Sequence, residues 1–492
     1  MKKILFIALL LTAGFSNAQN SLLNADFWKK NPELSTVQAE IKKGNSVSEA
    51  NKNNFDVVTL AINNDASLNT IKFLVEQEGN SVKKLTHDGR IYLHWAAYRG
   101  NVALVKYLLE KGADINLTDD KGATALVFAA SNGQANPDLY ELFFKAGTNP
   151  KQKYKNGANL LLLAISNDSD LKLADYLATK GLSLNDKDDL GNTAFNYAAR
   201  TGDVALLQKL NKKGIKFDGR AMIIASQGTR SSSAGLDAYK YLVEDLKVSP
   251  NAEGDNGENV LHNLVRKQKQ DEIIAYFLSK NVDVNHQDKE GNSVLMNATR
   301  GSIDLVKSII SRVKDVNATN SKGLSALNFA VENGSSDMVA FLLANGAKAN
   351  VIDKIGNNLA YYWIQSYRPA SAKKEAKDEF QAKFDLLQKA GLNFTIPQKD
   401  GNTLYHLAVA KNDLNLFTKL AELGGDINAK NKEGMTALHK AALVAKEDTV
   451  LKYLISNGAK KDIKTEFDET AYDLALENES LRATNVSVEF LK

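Results

Sequence analysis

The chain contains no cysteine. That excludes a disulfide framework, a thiolate nucleophile, a Cys-ligated zinc and an iron–sulfur cluster. It also fits an oxidising compartment, where free thiols are a liability. Proline is scarce, with 6 in 492 residues. Charge of one sign is not in excess either: 62 Lys and Arg stand against 58 Asp and Glu. A globally basic nucleic-acid surface is therefore not indicated. Beyond the N-terminus there is no long apolar run, so no membrane-spanning helix is expected. The composition, 43% hydrophobic and 24% charged, is that of a globular protein.

The one apolar run lies at the start. Lys2 and Lys3 precede twelve apolar residues, Ile4 to Phe15, and then Ser16-Asn17-Ala18. This is the arrangement of a secretory signal peptide cut before Gln19, in a bacterial style. No cysteine follows the cut, so a lipoprotein anchor is not expected.

The dominant feature after residue 50 is a repeat of about 33 residues. It is marked by Gly89, Gly122, Gly157, Gly191, Gly257, Gly291, Gly323, Gly356, Gly401 and Gly434. The step from Gly191 to Gly257 is a double one, with one glycine lost. Four residues after the glycine stand Leu93, Leu126, Leu161, Phe195, Leu261, Leu295, Leu327 and Leu438. Seven after it stand Ala96, Ala129, Ala164, Ala198, Ala298, Ala330, Ala408 and Ala441. A spacing of three puts the two columns on one helix face. A second amphipathic segment follows, as in Val105 to Leu109. It is closed by Gly112, Gly181, Gly346, Gly424 or Gly458, with Asn281 once in their place.

Thr436-Ala437-Leu438-His439-Lys440-Ala441-Ala442 and Gly112-Ala113-Asp114-Ile115-Asn116 resemble the ankyrin repeat signature, over about residues 55–480. The proline usual after the Thr is absent. The resemblance implies an all-α solenoid of about 12–13 helix-turn-helix units with projecting hairpin-like finger loops. The expected division is a signal peptide at 1–18, capping helices at 19–54, the array at 55–465 and a C-terminal capping repeat at 466–492. Irregular units are expected near 219–254, with a Gly/Ser-rich loop between its helices, and near 354–398. The second would have a longer second helix after a break at Pro369.

No chemistry emerges. His94, His262, His406 and His439 all lie five residues after a repeat glycine, the column of a structural histidine in the ankyrin pattern. Catalytic residues would not recur at a solenoid period. Metalloprotease, nucleophile-elbow and P-loop motifs are missing. Asp186 to Gly191 looks like the start of a calcium loop, but Tyr197 occupies the position of its closing Glu. No catalytic residue, cofactor or metal is expected, and the chain is not expected to be an enzyme.

By the resemblance, partners bind at finger tips and along the concave first-helix face, eight to ten residues after each glycine. These positions hold Tyr98 and Arg99, Ser131 and Asn132, Arg200 and Thr201, Arg266 and Lys267, Arg300, then Glu332 and Asn333. The candidate partner-binding residues are therefore Tyr98, Arg99, Arg200, Arg266, Lys267 and Arg300. The cations suit an acidic protein segment or another anionic ligand. Trp95 is expected in the core; Trp363 is either core or an exposed anchor. The expected function is a monomeric protein-binding scaffold in the periplasm, without nucleic acid and without membrane insertion after signal cleavage. The alternative is a secreted effector or surface protein that binds a target on another cell.

Overall fold

A computed structural model describes residues 20–229, 233–369 and 377–492. The signal-peptide segment, Arg230 and the middle of the Pro369 insertion lie outside the described residues. The described chain is helical throughout, and extended pairing is limited to isolated bridges such as Thr118 with Thr124. It divides into two compact units, 1–247 and 248–492.

The first unit holds six helix pairs among the described residues, from Val57–Asn63 with Leu68–Val75 to Arg220–Gln227 with Leu236–Lys240. The second holds seven, from Val260–Leu264 with Asp271–Ser279 to Ala471–Glu477 with Glu479–Ala483. Short helices Ala25–Trp28 and Leu34–Lys42 precede the first pair. Within each unit, first helices pack on neighbouring first helices, and second helices on second helices. The Leu and Ala columns make that seam: Leu93, Ala96, Leu126, Ala129, Leu327 and Ala330 are all buried. Alanine in one column lets the helix axes approach while leucine in the other fills the space between them.

Local residue choice sets each helix start. Two residues after the repeat glycine stand Thr124, Asn159, Thr193, Asn259, Ser293, Asn358 and Thr436. Each is an N-cap whose side chain accepts a backbone N–H of the first turn. At the far end of the second helix, Gly112, Gly346 and Asn281 take the left-handed conformation expected of a C′ residue. Asn285, Asn317 and Asn428 then stitch one repeat to the next within the second unit. Asn317, for example, accepts from the Lys348 N–H at 2.9 Å and donates to the Gly346 carbonyl at 3.0 Å.

The fingers are joined by a backbone ladder. The carbonyl just before a repeat glycine accepts the N–H of the next finger. The bonds run from Asp120 to Asp88, Asp189 to Asn156, Lys289 to Asn256, Ser321 to Glu290, Lys354 to Lys322 and Lys432 to Asp400, at 2.8–3.0 Å. The glycine is needed twice over. Gly323 has φ +79°, and a Cβ there would lie 2.9 Å from the Lys354 nitrogen.

The irregular units differ from the regular ones in a specific way. At 215–219 the whole finger is missing, not only its glycine. The chain runs straight into Arg220–Gln227, with Phe217 against Phe195 at 4.5 Å. The ladder position at Leu190 is filled by the Arg220 guanidinium, which donates to the Leu190 carbonyl. In the second irregular unit the second helix, Glu379–Lys389, runs for 11 residues. Trp363 is core: it stacks on Phe380 at 4.0 Å and donates to its carbonyl at 2.9 Å.

Candidate protein-docking surface

The histidine column is structural. In His262, His406 and His439, Nδ1 accepts the N–H of the helix N-cap at 3.1–3.2 Å. Nε2 donates to a carbonyl of the following repeat, Asn292, Met435 and Ile463, at 2.9–3.0 Å. These bonds require the neutral ring. Burial holds the three imidazoles below the usual histidine range. His94 has the same Nε2 bond, to Ala123 at 3.2 Å. Its Nδ1 is unpartnered, and Ile91 at the N-cap position has no side-chain oxygen to meet it as Asn259, Thr403 and Thr436 do for the other three. Burial lowers its pKa to about 4.

Asp188 is equally committed to the fold. Its Oδ1 accepts from Leu190 and Asn192, and its Oδ2 from Asn192 and Tyr197. Among the described residues no group of three or more His, Asp or Glu could hold a metal ion. None of the described helices is long and apolar enough to cross a membrane. Trp95 is buried and donates to the Thr86 hydroxyl at 2.8 Å.

What stays open in each unit is the row of first-helix ends. In the first unit these include Tyr98-Arg99, Ser131-Asn132, Ser166-Asn167 and Arg200-Thr201. Tyr98 is 37% exposed and leans on Phe128 at 5.3 Å. Arg99 is not free: both its Nε and Nη2 bond Asp65 of the preceding repeat. Arg200 is half-buried, with its guanidinium 5.8 Å from the Tyr197 ring centre.

In the second unit the row begins with Arg266-Lys267 and Arg300, then Glu332-Asn333. Arg266 and Arg300 are exposed and make no ion pair among the described residues. Lys267 is half-buried, and burial holds its ammonium below the usual lysine range. The row then changes character. Leu443 and Val444 are 40% and 59% exposed at the end of Ala437–Val444, and Leu476 is exposed on the adjoining helix Ala471–Glu477. Sequence reasoning singled out the cations and missed this apolar end. Its signal was two consecutive aliphatics at the position where other repeats carry polar residues.

Helix pairs, fingers and histidine clasp together define an ankyrin repeat protein. The family model for ankyrin repeats matches residues 29–119, 58–143, 126–221, 222–320, 261–353 and 382–486. The chain belongs to that family, whose members are protein–protein interaction modules. It is similar to the E3 ubiquitin-protein ligase KEG of Arabidopsis thaliana, 24% identical over 66% of this chain and 21% of that protein. Rabankyrin-5 of Mus musculus is 24% identical over 37% of this chain and 16% of its own length. An ankyrin repeat protein of Rickettsia felis is 24% identical over 57% of this chain and 71% of its own. The chain thus spans about a fifth or less of the first two relatives.

Proposed function

We propose that this protein is a non-enzymatic scaffold of the periplasm that holds an acidic segment of a protein partner along its first-helix ends and fingers. The observation that carries the proposal is a set of cations without counter-ions. Arg266, Lys267 and Arg300 stand at the ends of two successive first helices of the second unit, and among the described residues no carboxylate is ion-paired with them. Arginine forks suit carboxylates, and unpaired surface cations steer an acidic partner inward. The exported location rests on Lys2-Lys3, the apolar run and Ser16-Asn17-Ala18. Recovery of the protein mainly in culture medium, without lysis, would overturn the periplasmic part.

The test is affinity capture from fractionated source cells, with chain 19–492 as bait, at low and moderate salt. The comparison bait carries Glu at Arg200, Arg266, Lys267 and Arg300. A dominant protein held by the wild type, weakened by salt and absent from the charge-swapped bait, is the expected result. Retention of every captured protein by the swapped bait would remove the cationic surface from the account.

A further inference from the structure

The fold handles its buried arginines in two ways. Arg90 is the ordinary case. It is 5% exposed, and Asp119 accepts from its Nε at 2.9 Å and its Nη2 at 2.7 Å, with Asp88 on Nη1 at 3.1 Å. Its ring neighbours Trp95 and Phe128 complete a closed site. Such a guanidinium is a fixed part of the structure.

Arg200 is the other case. It closes the short turn Ala199–Thr201, which packs between the turn Ile165–Asn167 and the helix Arg220–Gln227. Its Nε is enclosed and has no hydrogen-bond partner. No ion pair or hydrogen bond reaches its two Nη nitrogens among the described residues, yet they are not sealed off as Nε is. Burial lowers its pKa, and among the described residues no carboxylate is ion-paired with it to offset that loss of water. The side chains at the neighbouring first-helix ends, Asn167 and Gln227, are exposed and neutral. A guanidinium left in this state costs stability, because it has lost water without gaining an acceptor.

We infer that Arg200 is a preorganised receptor for one carboxylate, the place on the first unit where an aspartate or glutamate of the protein partner docks end-on against the two Nη nitrogens. The fold has already removed much of the water that an exposed arginine would have to shed on binding. A carboxylate arriving there therefore meets a stronger field and a smaller desolvation cost than at Arg266 or Arg300. One guanidinium among neutral amides matches a single negative charge. A phosphate dianion calls for several donors of positive charge, which this turn does not have. Arg99, by contrast, is occupied by Asp65. The inference rests on the protein-binding proposal above and names the contact that would dominate it.

The experiment uses chain 19–492 and two readouts, thermal unfolding and binding of fluorescein-labelled deca-glutamate. Arg200→Met keeps the aliphatic packing and removes the charge. It should raise the melting temperature and weaken peptide binding about tenfold or more, the loss expected for one well-placed ion pair. Arg200→Lys should also weaken binding, since a point charge cannot make the paired contact. A fall in melting temperature with Arg200→Met would make Arg200 a structural residue and overturn the inference. So would unchanged peptide affinity, or displacement of the peptide by inorganic phosphate at the peptide's own dissociation constant. Peptide that binds wild type and Arg200→Met alike removes this inference alone. Peptide that fails to bind the wild type removes the acidic-partner proposal with it.

Discussion

The histidine column shows how one residue type can report on the whole array. The rings of His262, His406 and His439 each clasp the N-cap of their own helix and a carbonyl of the next repeat, His94 keeps only the carbonyl bond, and all four bonds to the next repeat leave the ring neutral. The folded-state pKa values lie below the unfolded value of about 6.5. Their contribution is therefore fully present above about pH 6.5 and is lost as pH falls through the window toward about 4 for His94. We expect the melting temperature to drop between pH 7 and pH 4.5. Replacing His262, His406 and His439 by Asn, the residue already present in this column at 196 and 328, should flatten that drop. It should also cost about 1 kcal/mol or more per site at pH 7 through the lost inter-repeat bond. An unchanged pH profile would show that other groups govern acid unfolding. The histidine role was legible because four residues fell in one column. The empty Nδ1 of His94 faces a cap residue, Ile91, without a side-chain oxygen, a pairing visible only once both residues are seen on one turn.

At the scale of the element, the finger glycines carry a graded prediction. Gly323→Ala meets both the left-handed backbone and the Lys354 nitrogen at 2.9 Å, whereas Gly122→Ala, at φ +78°, meets no atom within 4 Å. The second should cost about 1–2 kcal/mol from backbone conformation alone. The first should cost clearly more, because the ladder between fingers must part. Equal losses in denaturant titrations would refute the close-approach argument. Spacing revealed ten of these turns. It did not reveal the same turn at 51–55 and 465–469, where Asn54 at φ +58° and Asp468 at φ +63° take the glycine's place. Asn and Asp are the non-glycine residues that tolerate this conformation, so the signal was present but not in the glycine pattern. Before Arg220 the spacing predicts only a lost glycine, where the structure has no finger at all. Phe217 on Phe195, and the guanidinium that replaces a backbone donor, are tertiary facts with no periodic trace.

For the molecule as a whole, the sequence pattern foretold helix pairs, fingers and a family, because each repeat restates the same few constraints. It foretold the surface less well. Arg99 and Asp65 lie 34 positions apart and meet only through stacking of repeats. The burial of Arg200 depends on how the helix Arg220–Gln227, of the next repeat, settles against the turn 199–201. Exposure and pairing decide which cations can serve a partner, and they arise between repeats, whereas the pattern arises within them. The central claim is that a protein partner lies along the first-helix ends, and hydrogen exchange on the complex with the captured partner tests it most directly. The account predicts added protection at 98–101, 131–134, 166–169 and 199–203 in the first unit, and at 265–269 and 299–302 in the second. Protection confined to the second helices, such as Val102–Glu110 and Asp271–Ser279, would contradict it.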